Sequence, residues 1–100
     1  MPEVEATYRP LCTIAREIKD DWERVNFGAK PYLAALLEMN SIGDMYGQEY
    51  GDMIVLYFLN NAGTWRGETA KRIKAELKEQ VKAYNTGKIK RGGHTPNPSH

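Results

Sequence analysis

Leu11, Ile14, Ala15, Ile18, Trp22 and Val25 recur at steps of three and four, which gathers them on one face of a helix. Pro10 suits the first turn, where a missing N–H leaves no partner wanting. The pattern predicts a first helix over residues 10–25, ended by Asn26-Phe27-Gly28. Pro31 opens the run Tyr-Leu-Ala-Ala-Leu-Leu-Glu-Met, rich in helix formers, and predicts a second helix over 30–40. Gly43 and Gly47, among polar residues, then mark a loop.

The run Met53-Ile54-Val55-Leu56-Tyr57-Phe58-Leu59 is apolar on every side, and periodicity does not separate a buried strand from a buried helix. Tyr50, Ile54, Tyr57 and Asn61 share one helical face, and no partner strand is visible elsewhere, so a third helix over 48–62 is the better reading. Such a helix belongs at the centre, covered by its neighbours or by another subunit. Gly63 ends it, and Thr64 stands where a side-chain oxygen caps the next helix. The fourth helix, over 65–85, carries a narrow stripe of Ala70, Ile73, Leu77, Val81 and Tyr84. Lys71, Lys74, Lys78 and Lys82 run along one side of that stripe, and Glu68 lies four residues before Arg72, where the two can pair.

These elements predict an all-α fold: a compact four-helix domain over 10–85, an N-terminal arm over 1–9, and a disordered, flexible basic tail over 86–100. With 41% hydrophobic residues, 100 residues bury one modest core and leave no room for a second domain.

Charge adds an asymmetry that the net value of +1 conceals. Residues 1–65 hold ten acidic against five basic side chains, whereas 66–91 hold nine basic against three acidic. A single cysteine, Cys12, excludes an intramolecular disulfide, the acidic start lacks the features of a secretory signal, and no apolar run spans a membrane. The cytoplasm is the expected location.

Chemistry is sparse. Both histidines, His94 and His100, fall in the tail, where a general base is not held in place. With Cys12 they match no zinc-ligand spacing. Residues 40–52 mix glycines with acids, but a calcium loop read there puts Ile42 at a ligand position. Asp20 and Asp21 are adjacent and point about 100° apart on a helix, as a solvated face does. Cys12 has no histidine in the domain to serve as its base and reads as structural. An enzyme, a metal and a cofactor are therefore not expected.

Binding is the remaining class, and its candidate residues are Trp65, Arg66, Lys71, Lys74, Lys78 and Lys82. Trp and Arg dominate binding hot spots, and a lysine ridge suits an acidic protein partner or a nucleic-acid backbone. Each has a plainer alternative. Trp65 can fold over the end of the third helix or over Trp22, Arg66 can reach an acid or that helix's last carbonyls, and lysines can line a solvated edge. Thr13-Ile14-Ala15-Arg16-Glu17-Ile18 resembles the opening of a helix-turn-helix, but Lys19-Asp20-Asp21-Trp22 continue the helix where a glycine turn is needed.

The first of those stretches, with Phe27-Gly28-Ala29-Lys30-Pro31-Tyr32-Leu33, Leu56-Tyr57-Phe58-Leu59 and Thr64-Trp65-Arg66-Gly67-Glu68-Thr69-Ala70-Lys71-Arg72-Ile73-Lys74, resembles small uncharacterised proteins of bacteriophages and prophages. The resemblance covers roughly residues 11–78 and implies a phage context within a bacterial cell, with no catalytic residue to carry over. The expected function is non-enzymatic protein binding, as an inhibitor or modulator of a host defence or regulatory factor, with a homodimer through the third helix as a further expectation. A nucleic-acid accessory role for the basic helix and tail is the alternative.

Overall fold

Leu11, Ile14, Ala15 and Ile18 of the first apolar stripe are all fully buried, and around them a computed structural model describes residues 8–89. The elements in order are α1 (Leu11–Asp21), α2 (Lys30–Leu36), β1 (Met45–Tyr46), β2 (Glu49–Tyr50), α3 (Gly51–Asn60) and α4 (Glu68–Asn85). The fold is mostly helical with four helices, and a two-stranded antiparallel hairpin corrects the expectation of helices alone. Met45 pairs with Tyr50 and Tyr46 with Glu49. Gly47 takes φ +65° while no non-glycine residue described has positive φ, so the Gly47-Gln48 turn is of the kind that needs glycine first.

Every helix is shorter than its sequence pattern. α1 stops at Asp21 because Trp22 leaves the helix at φ −99°, ψ 89°, turning its ring inward. The N–H groups of Leu11 and Cys12, which have no partner within the helix, donate to the carbonyls of Asn40 and Met39 at 2.8 Å each. Residues 22–29 separate α1 from α2, far more than the ~3–4-residue turn of a helix-turn-helix. At the other end, Gly87 at φ +85° closes α4: its N–H donates to the Tyr84 carbonyl and that of Lys88 to Ala83, a Schellman end. Residues 86–89 thus belong to the fold and not to a tail, with Ile89 packed against the core. Residues 90–100, with both histidines, and 1–7 lie outside the described residues.

Ion pairs tie the chain start and α1 to α4. Arg9 donates to Glu76 through Nε at 2.8 Å and Nη2 at 2.6 Å, and to Glu17 at 3.0 Å through Nη1. Glu17 also accepts from Arg72, so the Glu68–Arg72 pair expected within the helix gives way to one between helices. Hydrogen bonds from Arg72 first, then Arg9, hold the Glu17 carboxyl below the ordinary carboxylate range. Beneath the pairs, Gln80 is 2% exposed and donates to the Arg9 carbonyl at 3.0 Å.

α3 is not fully enclosed. Ile54, Val55 and Phe58 are buried, but Met53 and Leu56, one turn apart, remain exposed, as do Met45 and Tyr46 of the hairpin that feeds the helix. Self-association through the third helix would have to use this strip.

Candidate functional site

The 61–67 connection is built from the end of α3 outward. Asn61 donates through Nδ2 to the Tyr57 carbonyl at 2.9 Å and accepts at its own carbonyl from Asn26 Nδ2 at 3.0 Å. The Trp65 N–H returns to the Ala62 carbonyl at 3.1 Å, which curls the chain and drives the indole inward. Its ring stacks on Trp22 with centroids 5.6 Å apart and planes 11° from parallel, and meets Phe58 edge-on at 6.4 Å. The indole Nε1–H donates to Asp21 Oδ2 at 2.8 Å.

Trp65 is therefore a core residue, 2% exposed, and not a surface contact. Of the two roles its position allows, packing over Trp22 is the one it takes. Asp21, read as part of a solvated face, is the acceptor that makes this burial complete, since an indole N–H needs a partner once it leaves water. No local signal marks Asp21, because the partner arrives from a loop 44 residues away.

Arg66 stays at the surface, and among the described residues it makes no hydrogen bond or ion pair. The fourth helix starts at Glu68 instead of Trp65, so Arg66 precedes it and has no place on the apolar stripe. Gly67 is the reason: φ 111°, ψ −180° is open in practice to glycine alone and breaks any helix begun at Trp65. Gly67 also occupies the cap position expected of Thr64, and among the described residues no side chain caps the helix.

The role expected of Arg66 at the end of α3 belongs to Lys74. Its Nζ donates to the carbonyls of Ala62 at 2.8 Å and Trp65 at 2.7 Å and lies 5.8 Å from the Trp65 ring centroid. Lys74 thus staples the loop to α4. Lys74→Met keeps the aliphatic stem and removes both bonds, so a loss of about 1–2 kcal/mol is expected in urea unfolding. An unchanged midpoint would show the staple to be idle.

Lys71, Lys78 and Lys82 are exposed, and none joins an ion pair among the described residues. The Lys74 ammonium has a pKa below its ordinary value, first through burial and then through the like charges of Lys78 and Arg66. Of the predicted set, then, the fold brings Arg66, Lys71 and Lys74 together at the start of α4, with Lys78 one turn beyond Lys74. Lys82 continues the ridge, and Trp65 leaves the set for the core. Arg66, Lys71 and Lys74 line a hollow of about 360 Å³ with Gly63 and Gly67.

Elsewhere, Lys19 and Lys30 flank an apolar groove of about 240 Å³ walled by Val25, Leu33 and Leu37, which the sequence pattern does not reveal. Cys12 is half-buried with Sγ 3.9 Å from Asn40 Oδ1. Among the described residues no three His, Cys, Asp or Glu side chains gather as metal ligands, and no helix is long and apolar enough to cross a membrane. The chain matches no known family model, no curated protein and no solved structure.

Proposed function

We propose that the chain is a non-enzymatic binding protein that docks an acidic surface of a protein partner on the basic face of α4. One observation carries the reading: Arg66, Lys71, Lys78 and Lys82 are exposed and take no part in any of the ion pairs described, although Arg9 and Arg72 do. Like charges held together in this way lose repulsion when a complementary surface arrives, which favours both encounter and register. In the phage setting implied by the resemblance, such a partner is a host or phage protein, and occupying it is a sufficient activity. Among the described residues no carboxylate lies within ion-pair distance of the ridge, and Glu17 is committed to Arg72 and Arg9.

The second reading, a nucleic-acid backbone along the ridge, draws on the same lysines. It is separable by salt. Affinity capture from bacterial lysate is expected to recover one protein with the wild type and about tenfold less of it with Lys78→Glu/Lys82→Glu. Equal recovery by both proteins removes the docking face. A retarded oligonucleotide at about 50 mM salt that is released steeply as salt rises transfers the ridge to nucleic acid. Trp65→Ala is unsuitable for this purpose, because it disrupts the core before it tests a contact.

A further inference from the structure

Three cations from two segments meet at the hollow between the 63–67 loop and the first turns of α4. Arg66 comes from the loop, and Lys71 and Lys74 come from the helix. Among the described residues no carboxylate lines this space. Gly63 and Gly67, which contribute no side chains, leave the rim backbone open to a ligand. Lys74 spends two of its three N–H bonds on the carbonyls of Ala62 and Trp65 and retains one. Arg66 has its whole guanidinium fork free, and a fork suits two oxygens of one tetrahedral anion, whereas a lysine contributes a point charge.

From this geometry we infer that the hollow is a receptor for a phosphate monoester, gripped by Arg66, Lys71 and the remaining N–H of Lys74. A monoester carries close to two negative charges at neutral pH, against one for each diester of a nucleic-acid strand. Concentrated positive charge at one point matches the former, while a strand requires a line. The hollow is open to solvent, so the group bearing the ester can project outward from it. Burial first, and then the like charges of Lys78 and Arg66, lower the Lys74 pKa, and the repulsive share is relieved when the dianion enters. The inference rests on the reading of this face as one that meets an anionic partner, and it adds a discrete pocket at one end.

Titration of the full chain with phosphoserine, followed by amide and indole NMR shifts at constant ionic strength, tests it. Saturable shifts confined to residues 63–74 and the Trp65 indole are expected. Dimethyl phosphate, a diester, is expected to bind at least tenfold more weakly, as is phosphoserine to Arg66→Gln/Lys71→Gln. Both substituted residues are exposed, so that variant folds, and a wild-type circular-dichroism spectrum verifies it. Lys82→Gln, farther along the helix, is expected to bind phosphoserine as the wild type does. Shifts spread over all lysines without saturation, or equal binding of monoester and diester, overturn the pocket. Loss of partner capture in Lys78→Glu/Lys82→Glu bears on the docking face alone, since that variant keeps Arg66, Lys71 and Lys74.

Discussion

Trp65→Ala is expected to destabilise the domain by about 3–5 kcal/mol, the cost of emptying a large, well-packed aromatic site. The ring is 2% exposed and touches both Trp22 and Phe58, so truncation strips a contact from each and leaves a void at the junction of three segments. A second cost follows, because Asp21 loses the indole N–H it accepts. For a domain of this size the melting temperature falls by upwards of about 12 °C. Asp21→Ala, which removes the hydrogen bond and leaves the ring, is expected to cost about 1 kcal/mol. Trp22→Ala combined with Trp65→Ala is expected to cost less than the two single losses together, since each ring is the other's contact. A Trp65→Ala penalty below about 1 kcal/mol would place the indole at the surface and restore it to the binding set.

How far the chain discloses this arrangement depends on the range of the interaction involved. The stripes of α1 and α4 are legible because a helical face records burial at regular spacing, and Ile14, Ile18, Ile73 and Leu77 are all fully enclosed. The helix ends are not. Trp22 and Val25 satisfy the same spacing as their predecessors, yet the chain has already left the helix at Trp22 and buries that ring from a loop. The hairpin is hidden for another reason. Two-residue strands are too short to show alternation, and the only local mark is Gly47, whose positive φ sets the turn.

The candidate site divides along the same line. Exposure of Lys71, Lys78 and Lys82 follows from their side of the helix, which the sequence gives directly. Exchange of roles between Arg66 and Lys74 does not, because it depends on Gly67 delaying the helix and letting the loop carbonyls face Lys74. A glycine in that position is a helix breaker only once its φ of 111° is known.

Gly51→Ala is the second change of large effect, and it tests how α3 is seated under the loop before it. A Cβ on Gly51 would lie 2.4 Å from the carbonyl oxygen of Ile42 and 2.9 Å from its C and Cα. These are backbone atoms, so no side chain can swing aside. Retreat is also blocked, since Ile42 is fully buried and the Gly51 N–H donates to the Asp44 carbonyl at 2.9 Å. Asp44 is anchored in turn, with its carboxylate accepting from the Ser41 N–H at 3.0 Å. Either the loop lifts and uncovers Ile42, or α3 shifts and disturbs Ile54 and Phe58. Overpacking of this kind costs about 1–3 kcal/mol, and the fixed surroundings put this case at the upper end. Gly63→Ala makes the same chemical change where nothing lies within 4 Å and φ is not positive, so it is expected to stay within about 0.5 kcal/mol of wild type. Equal unfolding midpoints for the two variants would mean that the loop yields freely. The start of α3 would then be held by its own apolar face and not by the close approach of Ile42.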